Sequence, residues 1–162
     1  MAGLGGGIQQ VFLRDRYGDG GFGTSFCVLT PNSTGLPGRV TLSGSQELAL
    51  NSLTVSAEDL PEETFGFFLT SQTSAFLIST GTPLGQLCLT WQIGRFVGPG
   101  EVQSTGASGS ISIAPDLTSM PSPTGFVPAA AGQTWAFQAW TRDSFGGQAT
   151  SIFTDAIGVT LR

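Results

Sequence analysis

The chain has 162 residues, enough for one domain with a real core. Only 10% of residues are charged, and all six cations are arginines: Arg14, Arg16, Arg39, Arg95, Arg142 and Arg162. With a net charge of -5 and no lysine or histidine, the chain lacks the clustered positive field that nucleic acids or anionic membrane surfaces require. The same absences exclude Ser-His-Asp triads, Cys-His dyads, histidine-ligated zinc and lysine Schiff-base chemistry.

The chain carries 24 glycines, roughly twice the usual share of about 7%. Each ordered glycine costs backbone entropy, so this many implies numerous tight turns. Polarity comes instead from Ser, Thr, Gln and Gly, which suits an extracellular surface or close association with other chains.

The first candidate element is a strand over 8–16, IQQVFLRDR, with a glycine-rich segment on either side. Ile8, Val11, Phe12 and Leu13 are its apolar residues, and the flanks give it reach toward its own domain or a neighbour. Residues 1–24 therefore read as a glycine-flanked strand and linker, and 25–162 as the folded domain. Residues 1–7 lack a basic region and an apolar core. Export would then rely on a signal already removed or carried by a longer parent chain.

Period-two alternation dominates residues 25–162, with no helical stripe of useful length. Val40 and Leu42 alternate with Thr41, and Leu53 and Val55 with Thr54. Phe65, Phe67 and Leu69 are expected on one face, and Leu87, Leu89, Trp91 and Ile93 form the clearest run. Ile111 and Ile113 come next, then Trp135, Phe137 and Ala139, then Ile157, Val159 and Leu161. Turn signals separate them: Pro31-Asn32, Pro37-Gly38, Leu60-Pro61, Gly98-Pro99-Gly100, Ser122-Pro123 and Gly146-Gly147. This predicts an all-β fold, a β-sandwich or jelly-roll-like domain of eight or more short, mostly antiparallel strands. No run reaches the ~18 apolar residues of a membrane span, so no membrane insertion is expected.

Cys27 and Cys88 are the two cysteines. An even count beside secreted-type composition points to one disulfide. The alternative is a pair of free, buried thiols. Each lies opposite its apolar neighbours in the alternation, so a bond there staples an edge or marks a second covered face.

The residues FCVLTPNSTGLPGRVTLSGS (26–45), FGFFLTSQ (65–72), GQLCLTWQIGRF (85–96), APDLTSMP (114–121) and AGQTWAFQAWTRD (131–143) carry a resemblance. In this order they are similar to a C-terminal domain of large secreted or surface proteins of environmental bacteria. The resemblance covers nearly all of 26–161. It implies a β-sandwich, export and a disulfide-permissive setting, and no activity. It departs at Thr90-Trp91, where the pattern often has glycine, which implies different packing of that strand. Separately, VFLRDR (11–16) resembles the closing strand of a Tol-type β-propeller blade.

Carboxylates are few. Glu101, Asp116, Asp143 and Asp155 are the glycosidase-type candidates, and nothing in their spacing brings two together. They read as turn caps or arginine partners, with Arg95 and Arg142 at strand ends facing Asp143 or Asp155. Asp15, Asp19 and Gly20 faintly resemble a calcium loop, which turn chemistry explains equally well. No cofactor and no metal site is expected beyond that. Asn32-Ser33-Thr34 fits a glycosylation pattern and also a turn after Pro31.

The expected function is of one of two kinds. One is a non-catalytic extracellular structural or interaction module, whose partners are other protein chains, itself included, through β-addition of the strand at 8–16. The other is a carbohydrate-binding module using an exposed aromatic. Trp140, beside Gln138 and Arg142, is the candidate patch, with Tyr17 a second platform. A packed second face competes with that reading.

Overall fold

The structure, a computed structural model, describes residues 22–74 and 85–162. Its thirteen strands, in chain order, are β1 (Thr24–Phe26), β2 (Arg39–Gly44), β3 (Leu53–Glu58), β4 (Phe65–Ser71), β5 (Thr73–Ser74), β6 (Leu89–Thr90), β7 (Gly94–Arg95), β8 (Gln103–Ser104), β9 (Ile111–Ile113), β10 (Met120–Ser122), β11 (Gly125–Val127), β12 (Thr134–Phe145) and β13 (Gln148–Thr160). One 3-10 turn, Leu48–Leu50, is the sole helical element among the described residues. No helix there is long and apolar enough to cross a membrane. The expectation of an all-β, antiparallel architecture is met.

The larger sheet runs β1-β13-β12-β4-β7, with β8 also on β4; the smaller runs β2-β3-β9. Two small hairpin-like pairs, β10-β11 and β5-β6, stand beside them. The long β12-β13 hairpin closes at Gly146-Gly147, both with positive φ. A two-residue turn whose twist suits antiparallel strands needs φ above zero at both positions, which glycine adopts without steric cost.

Alternation builds the core. Val40, Leu42, Leu53, Val55, Ala57, Ile111 and Ile113 point from the smaller sheet toward Phe68, Trp135, Phe137, Ala139, Ile157 and Val159 of the larger. The opposite face of the larger sheet is covered as well. Leu69, Cys88, Leu89, Ala136 and Ala156 form a second cluster, with Phe67, Trp140 and Phe153 packed on it. A strand buried on both faces reads as a near-continuous apolar run, which accounts for TWAFQAW at 134–140. It also corrects one detail at β4. Phe68 is the core residue, whereas Phe65, expected to share a buried face with Phe67 and Leu69, is exposed.

Cys27 and Cys88 are disulfide-bonded, with Cα atoms 5.9 Å apart. The bond staples the outer cluster, so of the two placements left open by the alternation, the second covered face is the one observed.

An irregularity in β13 ties the sheets together. Gln138 pairs with Ala156 and Trp140 with Phe153, so Thr154 and Asp155 face Ala139 alone. Such a bulge re-aims side chains. Thr154 Oγ1 accepts from the Ala139 N–H at 2.9 Å. The buried Asp155 carboxylate accepts from Ser25 Oγ of β1 at 2.9 Å and from the Val40 N–H of β2 at 2.7 Å. One side chain thereby joins an edge of each sheet.

Candidate functional site

The run Leu87, Leu89, Trp91, Ile93 does not form one regular strand. Thr73 pairs with Thr90 and Thr70 with Gly94. Trp91, Gln92 and Ile93 therefore oppose only Ser71 and Gln72, a bulge of one extra residue. Trp91 and Gln92 take φ of 52° and 53°. A bulky side chain in the left-handed region is a true outlier. Ser71 holds it there, its Oγ lying 2.7 Å from the Thr90 carbonyl oxygen and 2.8 Å from that of Trp91 while accepting from the Thr73 N–H. Trp91, expected on the apolar face with Leu89, is instead 74% exposed. The extra residue turns it away from that face.

Trp91 forms one side of a groove of about 310 Å³, the lower end of the range for small-molecule sites. Gln72, Thr73 and Gln92 line it from the bulged strands. Pro121, Ser122, Thr124 and Val127 come from the β10-β11 hairpin, and Trp135 of β12 supplies the buried floor. Among the described residues that line it, none is charged. The indole N–H of Trp135 is engaged by Gln133 Oε1 at 3.2 Å, which also accepts from the Ala130 N–H. The floor therefore presents apolar ring surface.

Gly94 seats the hairpin. A Cβ at that position would collide with the Pro121 carbonyl oxygen, so β7 and β10 touch backbone to backbone. Gly94→Ala is expected to push the hairpin off β7 and destabilise the domain by about 1–3 kcal/mol, as overpacking does. Urea unfolding measures this; an unchanged midpoint would mean that the hairpin moves freely.

The patch expected at Trp140, Gln138 and Arg142 is built differently. Gln138 is fully buried. Its Nε2 donates to the carbonyls of Gln86 (2.7 Å) and Thr154 (2.8 Å), and its Oε1 accepts from the Cys88 N–H at 3.0 Å. It clamps the disulfide segment to β12-β13 and presents nothing to solvent. Trp140 is half-buried against Phe67, with ring centroids 5.1 Å apart, and the exposed Arg142 lies over it at 5.6 Å. This trio is the packed second face, completed by a cation over a ring.

Each of the four candidate carboxylates accepts hydrogen bonds from its own surroundings. Asp143 accepts from the N–H groups of Ser33 and Ser144 and pins the loop at 31–37. Glu101 accepts from the Gly98 N–H. Hydrogen bonds from the Thr118 hydroxyl and main chain, then from the Asn51 amide, hold the Asp116 carboxyl below its ordinary range. Arg39 makes an ion pair with Asp59, its Nε and Nη2 both reaching Oδ2 at 3.0 and 2.6 Å, and among the described residues neither Arg95 nor Arg142 pairs with Asp143. Asn32 is buried, donating to the Asp59 carbonyl at 2.6 Å and accepting from Thr34, so it shapes the turn. Among the described residues no three His, Cys, Asp or Glu side chains group as a metal site. Asp15, Asp19, Gly20, Tyr17 and the strand with Ile8, Val11, Phe12 and Leu13 lie outside the described residues.

Comparison with protein-family models, with curated proteins and with solved structures finds no match. The groove itself is therefore the ground for any functional reading.

Proposed function

We propose that this chain is a non-catalytic extracellular interaction module that engages its ligand at the Trp91 groove. The exposed indole carries the reading. Large aromatics dominate core energetics because each buries about 150–250 Å². Trp91 forgoes that burial and sits at φ 52°, a conformation costing about 1–3 kcal/mol that persists where surrounding structure holds it, commonly at ligand sites. The disulfide and the resemblance to C-terminal domains of secreted bacterial proteins support an oxidising, extracellular setting.

Trp91→Ala tests this without threatening the fold, because the side chain lies outside both packed clusters. Retention on insoluble envelope and extracellular-matrix fractions of bacteria is expected to fall about tenfold or more, with an unchanged circular dichroism spectrum. Equal retention of the variant overturns the proposal.

A second reading is self-assembly through the strand at 8–16. It is favoured by the sheet edge: β1, outermost among the described strands, has three residues and matches only 156–158 of the thirteen-residue β13. Deleting residues 1–16 then leaves a folded domain that scatters light as a monomer. A full-length chain that is already monomeric at high concentration rules this reading out.

A further inference from the structure

We infer that the Trp91 groove takes a neutral sugar ring, with Trp91 as the stacking platform and Gln72 and Gln92 reading hydroxyls. This rests on the groove being the binding site. A pyranose has two faces of C–H bonds and a rim of hydroxyl groups, each both donor and acceptor. The groove offers the complement of both. Trp91 presents an indole whose face is in solvent, and Trp135, Val127 and Pro121 continue an apolar surface below and beside it. Around them stand two carboxamides and three hydroxyls, on Gln72, Gln92, Thr73, Ser122 and Thr124. Each carboxamide supplies two donors and an acceptor, the Thr73 and Thr124 hydroxyls can serve as either, and the Ser122 hydroxyl, donating to the Gly125 carbonyl at 3.1 Å, is left to accept.

Charge narrows the class. With no arginine among the described lining residues, a carboxylated or sulfated ligand would lose water and gain no counter-charge. With no acid there, a cationic ligand fares the same. The chain's net charge of -5 adds long-range repulsion of anions. The groove's modest volume suits one or a few rings of a longer chain rather than an enclosed small molecule.

The bulge explains how the platform is held. An exposed tryptophan on a flexible loop would lose rotational freedom on binding. Here the single Ser71 hydroxyl proton is shared between the carbonyl oxygens of Thr90 and Trp91, so the backbone under Trp91 is already held before a ligand arrives.

The test is titration calorimetry of the intact chain with cello-, xylo-, manno- and malto-oligosaccharides, and with oligogalacturonate as the anionic control. At least one neutral series is expected to bind, at least about tenfold more tightly than oligogalacturonate. Trp91→Ala should weaken it about tenfold or more, the loss of one aromatic stack, and Trp91→Phe by less. Gln92→Ala should weaken it while leaving Trp91 exposed to acrylamide quenching. If no neutral sugar binds while Trp91→Ala still abolishes retention on the bacterial fractions, the sugar inference fails and the groove reading stands. If oligogalacturonate binds as well as any neutral sugar, the charge argument is overturned. If Trp91→Ala changes neither sugar binding nor retention, both fall.

Discussion

Trp135→Ala is expected to cost about 3–5 kcal/mol, the range for truncating a large aromatic in a core. Trp135 is nearly fully buried and sits among Val40, Phe137 and Val159 on the inner face of β12. Its removal leaves a cavity between two sheets that strand pairing holds apart, so the walls relax only in part. It also leaves Gln133 Oε1 with one donor fewer, the Ala130 N–H at 2.8 Å remaining. Guanidinium unfolding reads the loss. A change below about 1 kcal/mol would mean that the ring lies at the surface, contrary to its place in the core. The same variant removes the groove floor, so ligand binding should weaken even where enough folded protein remains to measure it.

The second large effect belongs to the disulfide. Replacing Cys27 and Cys88 together with serine should cost about 4 kcal/mol, on the chain-entropy account of a loop this long. The bonded residues are 61 apart in sequence. The bond therefore closes a loop that includes β2, β3, β4 and β5. Gln138 grips the same segment from the other side, through the Cys88 N–H and the Gln86 carbonyl. Its hydrogen bonds stay available in the reduced protein, so the variant should remain folded at low temperature with a lowered denaturant midpoint. Thiol titration of the native protein should find no free thiol at Cys27 or Cys88; two reactive thiols would contradict the bond.

Much of the fold was legible because burial follows the strand period. Leu53 and Val55 alternate cleanly, and they lie in the core. Gly146-Gly147 announced the hairpin, and two positive φ angles close it. Phe65 was misread because β4 is apolar on both faces. Three phenylalanines within four residues carry no alternation signal, and Phe68 alone among them faces the main core. The polar Gln138 looked solvent-facing because glutamine usually is. Its burial depends on carbonyls and an N–H supplied by distant segments, which local pattern cannot reveal.

The groove proposed as the site was the least legible part. In LCLTWQIG, polar Thr90 and Gln92 alternate with apolar neighbours, so the run mimics a regular half-buried strand. No glycine or asparagine marks the left-handed pair. The bulge is set by register, Thr73 on Thr90 but Thr70 on Gly94, and register emerges only when strands from distant parts of the chain pair. The alternation singles out Trp140 as the exposed aromatic, and in the fold its ring is half-buried beside Phe67 and Arg142, while Trp91 is the more exposed indole.

The most direct measurement is a proton–nitrogen correlation spectrum of the three indole N–H groups, assigned with Trp91→Phe, recorded while neutral oligosaccharides are added. The Trp91 resonance should move in a saturable way. The Trp140 resonance, from the far face of the larger sheet, should stay in place. Movement of Trp140 with a stationary Trp91 would assign binding to the outer face and contradict the groove as the site.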